Sequence, residues 1–102
     1  MTQVVISPAA ERDLEDIWVT IAAENPSAAT RLLRNIGAQI DHLATHPRLG
    51  PRRPDIRRAT RMLVVSPYLI LFETHPDTDE GPVREVEIVR VVDGRRDLAR
   101  LF

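Results

Sequence analysis

Ser7-Pro8-Ala9-Ala10-Glu11-Arg12-Asp13-Leu14-Glu15-Asp16-Ile17-Trp18 is the stretch that decides the fold, and Asn25-Pro26-Ser27-Ala28-Ala29 repeats its opening. In each, a residue that can cap a helix precedes a proline at the first helical position. Proline loses nothing there, because that N–H has no partner within the helix. After Ser7, the residues Ala10, Leu14, Ile17, Trp18, Ile21 and Ala22 recur at helical spacing, with Glu11, Arg12, Asp13, Glu15 and Asp16 mostly on the other side. Acids in the first turns suit the positive end of the helix dipole. Pro26 restricts Asn25 and predicts that the first helix ends near Glu24. The second helix carries Ala29, Leu32, Leu33, Ile36, Ile40, Leu43 and Ala44 on one stripe and stops before Pro47. Gly37 costs that helix about 1 kcal/mol against alanine and is read as a point of close approach to the first helix. The short link between the two predicts an antiparallel helical hairpin.

Working outward, Val4-Val5-Ile6 reads as a short strand, and Pro47 to Arg58 is a loop by proline content and lack of periodicity. Met62 to Val65 and Tyr68 to Glu73 are two strands joined at Ser66-Pro67. A polar turn, Pro76 to Pro82, leads to the last strand, Val83 to Val92. There Val86 and Ile88 alternate with Glu85 and Glu87, which predicts one buried face and one wet face. Asp93-Gly94 ends the strand, and Arg95 to Phe102 reads as a terminal helical turn carrying Leu98, Leu101 and Phe102. The expected class is α+β. An N-terminal strand, an antiparallel helical hairpin, a three-stranded antiparallel meander and a short C-terminal helix form one layer of helix on one sheet, in a single domain over residues 1–102.

Composition narrows the chemistry. The 102 residues are 43% hydrophobic and 28% charged, as in ordinary globular chains. No apolar run approaches the about 20 residues a membrane span needs, and Met1-Thr2-Gln3 lacks the basic start of a secretory signal. The absence of cysteine removes disulfide scaffolds, thiol catalysis and zinc ribbons, and points to the cytoplasm. All fourteen basic residues are arginine. Between Arg48 and Arg61 six arginines face one acid, Asp55, giving +5, whereas between Glu73 and Glu87 six acids face Arg84, giving −5. The basic stretch is either an anion-seeking patch or a solvated loop.

No catalytic constellation emerges. His42 and His46 have the spacing of two imidazoles on one helix face, but no cysteine or HExxH pattern supplies a third ligand, and histidine near a helix C-terminus needs no function. No metal, cofactor or catalytic residue is expected. His75, before Pro76, is read as solvent-facing; Tyr68 as packed at the core edge; Trp18 as packed between hairpin and sheet, or else against a partner. GxSxG, P-loop and GxGxxG patterns are absent. Guanidinium stays protonated and cannot be a general base, but it clamps phosphates and carboxylates.

Ile6 to Trp18, Asn25 to Ala29, His46-Pro-Arg-Leu-Gly-Pro51, Tyr68 to Phe72, and Ile88-Val-Arg-Val-Val-Asp-Gly-Arg-Arg-Asp97 together resemble the RelE/ParE superfamily of type II toxin–antitoxin toxins, in its ParE branch. The resemblance spans nearly the whole chain and implies a helical hairpin on a small, mostly antiparallel sheet. It implies a toxin that binds and poisons DNA gyrase and is neutralised by a ParD-like ribbon-helix-helix antitoxin. The alternatives are a RelE-like ribosome-dependent mRNA endonuclease and a degenerate member that only binds its antitoxin. The endonucleases are understood to use lysine or glutamate with arginine, and a tyrosine or histidine near the C-terminus. This chain has no lysine and no tyrosine after Tyr68, and Asp93 stands where many relatives have histidine.

Two surfaces follow. Leu14, Trp18, Ile21, Leu33 and Ile40 form an apolar hairpin edge for the antitoxin. Arg57, Arg58, Arg61, Arg90, Arg95 and Arg96 form a target-binding group, if the basic loop and the end of the last strand share one end of the sheet. Alternatively, Arg90 and Arg96 pair with Asp93, Asp97 or Glu73 and tie down the C-terminus.

Overall fold

Both helices begin as their caps dictate. In a computed structural model that describes residues 2–102, the Ser7 Oγ accepts from the Ala10 N–H at 3.1 Å and opens α1 (Pro8–Ala22). Asn25 does the same for α2 (Pro26–His42), its side chain accepting from the Ala28 N–H at 3.0 Å. The strands are β1 (Gln3–Ile6), β2 (Arg61–Val65), β3 (Tyr68–His75) and β4 (Glu85–Asp93), and a 3-10 helix spans Leu98–Leu101. The chain is α+β, in the expected order.

The sheet runs β1-β4-β3-β2. The meander of β2, β3 and β4 is antiparallel, and β1 joins it parallel to β4 with Ile6 opposite Ile88. The helical hairpin carries the chain over the sheet from β1 to β2, and the meander then returns through β3 to bring β4 beside β1 as its parallel neighbour. At its near end β1 hands over to α1: the Ser7 N–H donates to the Ile88 carbonyl at 3.0 Å, and the Ser7 Oγ donates to the Val89 carbonyl at 2.9 Å.

Simple alternation fails along β4. Leu71 lies opposite Arg90 while Phe72 lies opposite Ile88, so Val89 is an extra residue on β4, a β-bulge. One inserted residue reverses which face each later side chain takes. Val86, Ile88 and Val91 therefore join one core, with Ile70 and Phe72 of β3 and with Ile17, Ile36, Ile40 and Leu43 from the helices. Val92 goes to a second cluster with Leu69, Leu71 and Ile56, against which Met62, Leu98 and Leu101 pack. The face away from the helices is thus dry toward that end of the sheet. The loop before β2 and the 3-10 helix cover it, where alternation alone predicted one wet face.

Two glycines play opposite parts. Gly37 has open space where a side chain would stand, so it is not the close approach expected of it. Gly50 is that approach: a Cβ there would lie 2.4 Å from the Met62 carbonyl oxygen and 2.8 Å from the Phe72 ring. Gly50→Ala should therefore destabilise the protein by about 1–3 kcal/mol through overpacking, whereas Gly37→Ala should stabilise it by about 0.5–1 kcal/mol through helix propensity. Urea denaturation of the two variants beside the parent chain measures both signs.

Candidate partner groove and arginine sites

α1 buries Ile17 toward the sheet and leaves a second apolar strip uncovered. Leu14, Trp18 and Val19 of α1 and Leu33 of α2 line an open groove whose rim carries Glu11, Glu15 and Asp16. Trp18 is 40% exposed and Val19 64%, so Trp18 does not pack between hairpin and sheet. Of the residues expected to form an antitoxin face, Leu14, Trp18 and Leu33 come together here. Leu14, Leu33 and Ile21 all pack against the core, but Ile21 does not line the groove, and Ile40 lies inside the core at 5% exposure. Ile40 is out of reach because α2 turns that position toward β-sheet residues rather than along the hairpin edge. Val19 escaped the sequence reading because Glu15 and Asp16 lie one turn before it on the helix.

The basic and acidic segments meet. Arg48 donates from Nε to the Thr78 carbonyl at 2.8 Å, and from Nη2 to the Thr78 hydroxyl and the Gly81 carbonyl. Arg52 reaches Asp77 at 2.7 Å and Asp79 at 2.9 Å. Arg61, only 6% exposed, donates to the Gly50 carbonyl at 3.1 Å and to Asp79 at 3.4 Å. Hydrogen bonds to Asp77 and Asp79 raise the pKa of Arg52, and Arg52 in turn lowers that of Asp79. Burial, then the neighbouring Arg52, lowers that of Arg61. Both arginines remain cationic at physiological pH. Much of the +5 loop is thus spent holding the acidic turn, and Arg61 is a structural arginine rather than a surface one.

Arg90 is also engaged, by an acid that its own end of the chain does not supply. Its Nε donates to Asp13 at 2.7 Å and its Nη2 at 2.9 Å, a forked pair that raises the pKa of Arg90. The other duty of Asp13 is to accept from the Val91 N–H at 2.9 Å. β1 ends opposite Ile88, so this N–H on the outer edge of β4 has no strand to meet. Arg90 therefore ties α1 to the sheet, not to Asp93, Asp97 or Glu73.

The remaining expected residues do not all converge. Arg61 opens β2 at the end remote from Tyr68, β3 lies between β2 and β4, and Asp93 pairs with Tyr68. Arg61 therefore lies at the end of the sheet remote from the Arg95-Arg96 turn, whereas Ile56 carries Arg57 and its loop toward Leu69, Val92 and the C-terminal 3-10 helix. Arg95 closes on Asp93 and, with its backbone N–H, holds that carboxyl down to about 2. Arg96 lines a small cleft with Asp13, Asp16, Tyr68 and Asp93. Arg57 is exposed and stacks on the Phe102 ring at 4.6 Å, and Arg58 beside it is exposed. Neither makes an ion pair among the described residues.

The geometry can now be set beside known proteins. Residues 4–98 match the family model described as ParE toxin of type II toxin-antitoxin system, parDE. The chain belongs to the ParE toxin family. It is 32% identical over 97 residues to Toxin ParE1 of Mycobacterium tuberculosis, covering 94% of this chain and 93% of the relative. Toxin ParE3 of Caulobacter vibrioides is 28% identical over 100 residues, covering 97% and 93%. Among solved structures, a chain of the chromosomal ParDE TA system from P. aeruginosa superposes with a TM-score of 0.72 at 22% identity, covering 91% of this chain and 96% of that one. The ParE fold of hairpin on mixed sheet is thus shared with that structure. Among the described residues no helix is long and apolar enough to cross a membrane.

Asp13→Asn in this ParE chain keeps the shape but removes the charge that Arg90 needs. Fully buried pairs cost about 3–5 kcal/mol to break. Both partners here keep some water, with side chains 21% and 13% exposed, so the expected loss is about 2 kcal/mol, read as a lowered midpoint in urea denaturation.

Proposed function

We propose that this ParE-family chain is a toxin restrained by a ParD-like ribbon-helix-helix antitoxin, and that once released it binds DNA gyrase in the cytoplasm without catalysis of its own. The observation that carries the reading is the groove of Leu14, Trp18, Val19 and Leu33. A large aromatic and a β-branched residue stand exposed side by side, and apolar grooves of this kind receive the apolar face of an amphipathic helix. The acids Glu11, Glu15 and Asp16 on the rim favour a segment that sets basic residues beside its apolar face.

For the target, Arg57, Arg58, Arg95 and Arg96 remain the candidates, because Arg61 is buried and Arg90 is held by Asp13. Arg57 and Arg58 present charge without a proton-transfer group between them. That suits contact with the phosphates of gyrase-bound DNA or with an acidic surface better than RNA hydrolysis, which needs a general acid or base.

Trp18→Ala should weaken antitoxin binding about 30-fold or more, as loss of an aromatic anchor costs about 2 kcal/mol or more, with the circular dichroism spectrum unchanged. The purified chain should inhibit gyrase supercoiling, and Arg57→Glu with Arg58→Glu should relieve that inhibition while leaving antitoxin affinity intact. Cleavage of mRNA on ribosomes with gyrase untouched would replace the gyrase reading by that of an endonuclease.

A further inference from the structure

Glu73 and His75 stand two apart on β3 and so share one face of the sheet; Glu87 lies directly opposite Glu73 on β4, and Glu85 opposite His75. One ligand atom from each of Glu73, His75 and Glu87 falls within 4.8 Å of the other two. The His75 Nε2 is 3.3 Å from a carboxylate oxygen of Glu87. In a tetrahedral zinc site with ligands about 2.0–2.1 Å from the ion, neighbouring donors stand about 3.3 Å apart. One edge of such a site is therefore already at its bonded separation, and the other two are no longer than 4.8 Å.

A second observation points the same way. Like charges directly opposite in an antiparallel pair repel, yet Glu73 and Glu87 are such a pair. Arginines elsewhere in the chain close on Asp13, Asp55, Asp77, Asp79, Asp93 and Asp97. Among the described residues no arginine lies within ion-pair distance of Glu73 or Glu87, and the one basic group that does is His75, on Glu87. All three residues are half-buried, so the repulsion is only partly screened by water.

We propose that Glu73, His75 and Glu87 bind one divalent transition-metal ion, with zinc as the reference, which neutralises the paired carboxylates and pins β3 to β4 below the acidic turn. One imidazole nitrogen with two carboxylate oxygens suits zinc, whereas magnesium and calcium prefer sites made of oxygen alone. Three protein ligands leave a fourth position for water. This inference does not depend on the antitoxin or target reading.

Calorimetric titration of the untagged chain with zinc chloride should show one ion per chain and an upward shift of the melting temperature, with magnesium chloride giving neither. Glu87→Gln and His75→Ala, both at half-exposed positions, should each weaken binding at least tenfold and abolish the shift, while His42→Ala with His46→Ala should leave both intact. In NMR spectra, zinc should move the His75 imidazole resonances. The proposal is overturned if zinc at millimolar concentration produces no binding. It is equally overturned if binding survives both Glu87→Gln and His75→Ala, or disappears in the His42 and His46 variant.

Discussion

The structure depends on how the first two turns of α1 are joined to the outer edge of β4. β1 is short, and where it stops the edge of β4 would present unpaired backbone groups, which are costly when kept from water. Ser7 accepts that task at the Ile88 and Val89 carbonyls while its Oγ also caps α1, and Asp13 takes the Val91 N–H together with the Arg90 guanidinium. A strand edge is thus continued by the side chains of a helix. Because the bonds hold α1 at its N-terminal half, the hairpin is fixed in angle over the sheet, and its groove faces away from the core.

The bulge at Val89 belongs to the same device. It turns Val91 into the helix-facing core and Val92 into the second cluster, so β4 serves two cores with one strand. The second cluster then gives the C-terminus a place to dock, and the Arg57–Phe102 stack joins the loop before β2 to that end. Charge is handled in a parallel way. The basic loop and the acidic turn neutralise each other through Arg52 and Arg61, and Arg48 holds the turn by the Thr78 and Gly81 carbonyls. Arg57 and Arg58 stay exposed on the loop before β2, and the acidic-rimmed apolar groove lies on the helical hairpin.

Sequence alone determined the order of elements, the two capped helices, the α+β class and the family, because these rest on local rules: a cap and a proline start a helix, and a 3.6-residue period marks its buried face. It also placed Leu14, Trp18 and Leu33 on one apolar edge of the hairpin, since they flank its buried stripe. Only the tertiary structure decided the rest. Ile40 and Arg61 are internal, because burial depends on which element lies above a position. Asp13 belongs to Arg90, 77 residues away. Glu73, His75 and Glu87 converge because strand register, reset by one inserted residue, is a pairwise property of two strands that neither strand's residues specify alone.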